Sequence, residues 1–250
     1  MRLWLLIAAL IGIGMPQHGL AEPGDTRPTG LRLSAGFGLG TRAFVIPTTQ
    51  GVQQLADTVF PATEFLAALR LGRQRRLGLD VSLAYQTSVQ WRLEYQPLFA
   101  LPEKIAARSQ RVELGVAPRL RFASTQTALS LAAVIGFGLR SFWPRPKQFP
   151  IQDYLLGGPQ LRVEFEFPLV ERVRLRAGPE LQWLVVTHGV ALAPDVGGLA
   201  FGGEILLEAS INAGLCFAFA YRESRSWIPT GTFVFEDTER FITARLSGEL

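Results

Sequence analysis

From Leu31 to Leu250 apolar and polar residues alternate in segment after segment, and the polar track carries the charge. Segment 111–122 shows the pattern in full. Val112, Leu114, Val116, Leu120 and Phe122 form one track; Arg111, Glu113, Arg119 and Arg121 form the other. A period of two predicts β-strands, because successive side chains leave a strand on opposite faces. In 31–39, Leu31, Leu33, Ala35, Phe37 and Leu39 oppose Arg32, Ser34, Gly36 and Gly38. In 161–167, Leu161, Val163, Phe165 and Phe167 oppose Arg162, Glu164 and Glu166, and 242–250 alternates in the same way. The pattern predicts ten strands, at 30–44, 62–72, 76–88, 110–122, 127–140, 155–167, 171–187, 200–212, 215–224 and 239–250.

The connections carry a second rhythm. Those at 73–75, 124–126, 168–170 and 213–214 are short, whereas 45–61, 89–109, 141–154, 188–199 and 225–238 are long, and the two kinds alternate. Phe44, Tyr85, Trp91, Tyr95, Phe142, Trp143, Trp183, Phe201 and Trp227 fall where strands adjoin the long connections. That position predicts a girdle of rings at a membrane–water boundary.

The N-terminus supplies a route to such a boundary. Arg2, the apolar run from Leu3 to Met15 and the small residues Gly19 and Ala21 read as a signal peptide over 1–21, cleaved after Ala21. Residues 22–29 then form a short Pro/Gly-rich lead, and 30–250 one β-domain. The apolar run is shorter than the ~20 residues of a spanning helix, and no later stretch reaches ~18. With 48% hydrophobic residues the chain is apolar for a protein whose strands are half polar. A lipid-facing surface accounts for this. The single cysteine, Cys216, forms no internal disulfide. The 25 Lys and Arg nearly balance 21 Asp and Glu, without a basic tail, so nucleic acid is not a predicted partner. No cofactor or metal motif is present; Gly36-x-Gly38-x-Gly40 lacks the helix that a dinucleotide loop requires.

On these residues the chain resembles the bacterial outer-membrane β-barrel class. The resemblance implies an all-β fold: a single closed antiparallel transmembrane barrel of about ten strands, with eight or twelve as alternatives, in the outer membrane. Short turns then face the periplasm and long loops the exterior. The class commonly ends in an aromatic residue, whereas this chain ends in Leu250.

A charged side chain facing lipid costs about 2–4 kcal/mol near the midplane, so the apolar track faces out and the charged track faces in. The inward track holds Arg32, Glu64, Arg70, Asp80, Glu113, Arg119, Arg121, Arg162, Glu164, Glu166, Arg174, Arg176, Glu180, Glu204, Glu208, Arg222, Arg245 and Glu249. A barrel this small is largely filled by its own side chains. Charges there need partners, and arginine can bridge two carboxylates at once. The first reading is therefore an ion-paired, plugged lumen with a structural or surface-interaction role. The second is a narrow, charge-selective channel for small solutes or ions.

A third reading is a surface hydrolase. Omptin proteases resemble the chain in strand number and lipid A deacylases in size, and both use a histidine near the outer rim. His188 lies at such a position, with Asp195 in the same connection. The paired aspartates of omptins are absent, and position 190 is Val rather than the serine of the deacylases, so neither motif carries over. Arg145 and Lys147, in a proline-rich segment, are candidate contacts for lipopolysaccharide phosphates. An extracellular protein or a cell-wall component is the other partner class such loops suggest.

Overall fold

The computed structural model describes residues 29–48, 51–55, 59–72, 76–89, 91–95, 103–122, 129–145, 153–188, 197–212, 214–230 and 233–250. The expected signal peptide and lead lie outside them. The strands are β1 (Thr29–Thr48), β2 (Gly51–Leu55), β3 (Phe60–Leu71), β4 (Leu77–Ser88), β5 (Trp91–Tyr95), β6 (Glu103–Arg121), β7 (Ser130–Arg145), β8 (Tyr154–Val170), β9 (Val173–Leu184), β10 (Val186–His188), β11 (Gly198–Ser210), β12 (Leu215–Thr230) and β13 (Phe233–Glu249). Ten of them pair in the order β1-β3-β4-β6-β7-β8-β9-β11-β12-β13, all antiparallel. β13 returns to β1 in register from Arg32↔Glu249 to Val45↔Glu236 and closes the ring. The short strands β2, β5 and β10 extend the wall by pairing with β1, β6 and β8.

Closure pairs both edges of each of the ten ring strands, which a bilayer demands of any spanning sheet. The alternation then sorts the two faces. Along β6, Arg111, Glu113, Ala117 and Arg119 are buried, while Val112, Leu114, Val116 and Leu120 are exposed. The exposed apolar residues continue around the ring: Phe37 and Leu39, Leu83, Ile135, Phe165, Ile205, Phe219 and Ile242. This is the reverse of a water-soluble barrel and is the lipid-facing belt of a membrane one. Leu114 is 54% exposed within that belt. We expect Leu114→Arg to lower the unfolding free energy in lipid vesicles by about 2–4 kcal/mol, with Leu114→Ala much milder, as read from urea titrations.

The short connections are tight. Gly72 follows β3 with φ of 70°, a conformation that costs glycine little and other residues more. The long-loop side differs from expectation in extent. β6 begins at Glu103, seven residues earlier than predicted, and β7 continues to Arg145. The predicted loop 225–238 is mostly hairpin, with β12 reaching Thr230 and β13 starting at Phe233. Beyond the belt the outward track turns polar: Arg92, Arg108, Arg145 and Arg225 are exposed there. The alternation of apolar against polar thus stops where the lipid stops, while the hydrogen-bonded wall continues into water.

Candidate functional site

The lumen gathers the chain's buried charge, and its contents fall into three levels. At the short-turn end, Arg32 pairs with Glu208 and donates to Ser247 at 2.9 Å. Arg119 reaches Asp80 at 2.8 Å, Glu166 at 3.2 Å and Glu164 at 3.5 Å. Glu166 also takes Arg174 at 3.1 Å and Arg176 at 3.5 Å.

At mid-height, Arg245 forks onto Glu64 at 2.7 and 3.1 Å and reaches Glu204 at 2.6 Å. Arg222 bridges Glu113 at 2.5 Å and Glu180 at 2.8 Å. Arg111 pairs with Glu113 and reaches Glu180 at 2.7 Å. Arg162 meets Glu164 at 2.9 Å and Glu180 at 3.7 Å. Between Glu64, Glu113, Glu204, Arg162, Arg222 and Arg245 remains a polar cavity offering about 50 Å³ to the centres of water-sized molecules. That is room for a few waters.

The geometry across the ring is decisive for the lumen. β6 and β12 lie five strands apart in either direction around the ten-strand ring. Arg222 and Glu113 therefore join diametrically opposite walls through direct contact. Glycines on the inward track make room for such spans. At Gly138 a Cβ would approach Gln160 Oε1 and Gln182 Nε2 to 2.8 Å each. Gln182 uses this space to donate to the Gly138 carbonyl at 2.8 Å.

At the long-loop end the charged levels give way to rings. Phe44, Phe60, Trp91, Phe142, Tyr154 and Phe241 are buried together, with Phe235 packed against them. Ring centroids lie 4.5 Å apart for Phe60–Trp91, 5.0 Å for Phe44–Phe142 and 5.4 Å for Phe142–Tyr154. Arg42 sits among them, its guanidinium carbon 5.1–5.6 Å from the rings of Phe44, Phe142 and Tyr154. It forks onto Asp237 at 2.9 and 2.6 Å and donates to the Tyr154 hydroxyl at 2.6 Å; that hydroxyl in turn donates to Asp237 at 2.7 Å. β1 and β8 are again five strands apart, so this contact also crosses the full lumen.

Of the charged residues named from sequence, the structure joins Arg32 with Glu208, and Asp80, Glu164, Glu166, Arg119, Arg174 and Arg176 in a second group. Glu64, Glu204 and Arg245 form a third, and Glu113, Arg162 and Glu180 meet through Arg111 and Arg222. Arg70 and Arg121 make no ion pair among the described residues. Sequence reasoning missed Arg42, Arg140, Tyr154, Asp237 and Glu239, all buried. Stepping by two from Arg32 along β1 reaches Arg42 and Phe44, so the phase held the signal for both.

The predicted girdle needs correction. Trp143, Trp183 and Phe201 are exposed on the outer face, but Phe44, Trp91 and Phe142 point inward and build the cap. Phe44 and Phe142 lie on the tracks of Arg42 and Arg140, and there phase outranks proximity to a loop, whereas in β5 Arg92 faces out and Trp91 in. Tyr85 and Trp227 are half-buried. The Tyr95 side chain, Lys147 and Asp195 lie outside the described residues. Arg145 is exposed at the end of β7, and His188 ends β10 in register with Leu155. Among the described residues no group of His, Cys, Asp and Glu is placed to hold a metal ion.

The chain matches no protein-family model and no curated protein in sequence. It is similar in structure to the outer membrane protease OmpT of Escherichia coli, with a TM-score of 0.53, 12% identity and coverage of 94% of this chain and 100% of that one. The translocator domain of the autotransporter NalP of Neisseria meningitidis gives a TM-score of 0.44 at 9% identity, covering 98% and 94%. The outer membrane protein OprG of Pseudomonas aeruginosa gives 0.40 at 9% identity, covering 90% and 97%. At such identity the likeness to OmpT is one of fold.

Proposed function

We propose that this outer-membrane β-barrel protein is a closed barrel, its lumen sealed by its own side chains, with a structural or surface-interaction role. The observation that carries the reading is the direct joining of opposite walls, by Arg222 with Glu113 at 2.5 Å and by Arg42 with Tyr154 at 2.6 Å. A pore must leave a continuous path between its walls, and here two separate levels bridge them. Buried ion pairs stabilise little relative to an apolar filling, but they fix partners and therefore strand register. A rigid wall extending past the lipid belt then serves as a platform for outer-surface contacts.

The exposed guanidiniums support lipopolysaccharide as one such contact. Arg108 lies opposite the exposed Trp143, and Arg145 stands two residues further along the same strand. A ring at the lipid boundary with arginines above it suits the phosphates of an anionic outer leaflet. Planar-bilayer recording tests the sealed lumen. The refolded protein is expected to give no sustained open-channel steps; steady conductance from the native chain would overturn the proposal.

A further inference from the structure

A collar of polar side chains marks the outer edge of the lipid belt. Thr63, Thr87, Gln110 and Ser141 of β3, β4, β6 and β7 face out and are register partners in succession. Thr41, Arg240 and Glu223 of β1, β13 and β12 continue it on the other side, again partner to partner. The collar ends at Leu155 of β8, the partner of Ser141, and at Gly203 of β11, the partner of Glu223. Among the described residues the outward tracks of β8, β9 and β11 carry no polar side chain. Asp153 lies beyond the outer end of β8. Where the collar would cross, Trp183, Val185, Leu199 and Phe201 stand out from the wall, 45, 63, 38 and 53% exposed.

The gap makes the belt taller on this side. The outward apolar track of 112–122 reaches about 25 Å at the usual strand rise and tilt, the height of a barrel's apolar band. On β8 the track runs unbroken from Leu155 to Leu169, about 35 Å. Leu155 stands in the collar's own row, so the surplus lies on the outer side, among headgroups and water. Lipid tails do not reach that level, and water there is unfavourable for valine, leucine and phenylalanine. A protein surface of the same height covers them, and a second copy of this chain presents one. The membrane holds two copies at one depth, so a two-fold axis along its normal brings gap to gap. β9 is the middle strand of the three, two strands from Ser141 on β7 and two from Glu223 on β12. An axis at β9 therefore joins the collar ends of one copy to those of the other. The face measures about 35 Å by about 15 Å, or about 1,000 Å² over both copies, where specific interfaces begin. We infer that two copies of this chain pair side by side in the outer membrane through β8, β9 and β11. The pairing stands on the outer face and is independent of whether the lumen conducts.

The test uses the full mature chain in lipid vesicles, with Cys216→Ala so that introduced thiols stand alone. Val185→Cys places a thiol at the centre of the face. Val89→Cys, 54% exposed just beyond the collar at the end of β4, places one at a similar depth away from it. A short bis-maleimide is expected to join Val185→Cys chains into dimers, with a yield that saturates as the protein-to-lipid ratio rises. At the lowest ratio that yield is expected to exceed the yield from Val89→Cys at least tenfold. Leu199→Thr with Phe201→Gln carries the collar across the gap. Added to Val185→Cys, this pair is expected to lower the dimer yield at least fivefold, with heat-modifiable migration showing the barrel still folded. Equal yields from the two thiols would reduce the contact to collision and overturn the inference. A Val185→Cys thiol that takes up a monofunctional maleimide yet forms no dimer would overturn it too. So would one shielded from both reagents at every dilution, which would assign the cover to the chain's own segment 189–196.

Discussion

Replacing Glu180 by leucine is expected to cost the barrel about 3–5 kcal/mol of unfolding free energy, the largest loss expected from any single charge removed from the lumen. Glu180 accepts from Arg111 at 2.7 Å and Arg222 at 2.8 Å, with Arg162 and Arg140 each 3.7 Å away. Leucine is a somewhat larger apolar replacement and leaves Arg111 and Arg222 sharing Glu113 as their close carboxylate, while Arg162 keeps Glu164 at 2.9 Å. The charges stay in place, and their desolvation is no longer offset. Arg140→Met makes the contrast. Arg140 is buried, and among the described residues its Nε and Nη2 have no hydrogen-bond partner and its only hydrogen bond is to Ser226 at 3.2 Å. Removing a poorly partnered cation takes away a desolvation cost along with a weak attraction. Its loss is expected to stay under about 1 kcal/mol or to become a gain. Urea unfolding in lipid vesicles, followed by tryptophan fluorescence, measures both. Equal losses for the two variants would show that the lumen senses volume rather than pairing.

The same network shows where sequence was informative. Within the belt, lipid forces every outward position to be apolar, so polar positions in β6 such as Glu113 and Arg119 announce themselves by phase. Strand number and closure follow from that alternation with little further input. Beyond the belt both faces of the wall meet water or polar neighbours, and the contrast fades. In β13, Glu236, Asp237, Thr238, Glu239 and Arg240 are polar in succession. No periodicity there separates buried Asp237 from its outward neighbours, and the segment reads as a loop. Phe44 and Phe142 misled for a related reason: a ring near a loop suits a membrane boundary as well as a lumen cap. Only counting in twos from Arg32 and from Arg140 assigns them inward. Pairing was less legible than facing. Which carboxylate Arg222 meets depends on strand stagger across the ring, and nothing local in the sequence encodes that.

Two seals in series make a sharper prediction about conductance. The upper seal is the ring cluster with its Arg42–Asp237–Tyr154 latch; the lower is the Arg222–Glu113 bridge with its neighbours. Opening one leaves the other across the path. Phe142→Ala removes the ring that contacts Phe44, Trp91 and Tyr154 together. It is expected to cost about 3–5 kcal/mol, as for a large ring lost from a packed site, yet the variant is expected to remain silent in planar bilayers. Glu113→Gln with Arg222→Gln replaces the lower bridge by a neutral pair and leaves no lone charge between those two positions. This double variant is also expected to be silent, because the rings above still meet. Combining the three substitutions removes both seals, and sustained current steps are expected only then. The ordering carries the argument. Current from Phe142→Ala alone would make the ring cluster the sole gate and reduce the ion pairs to lining. Silence in the triple variant, with the barrel shown folded by heat-modifiable migration, would place the barrier in the remaining arginines and carboxylates at mid-height.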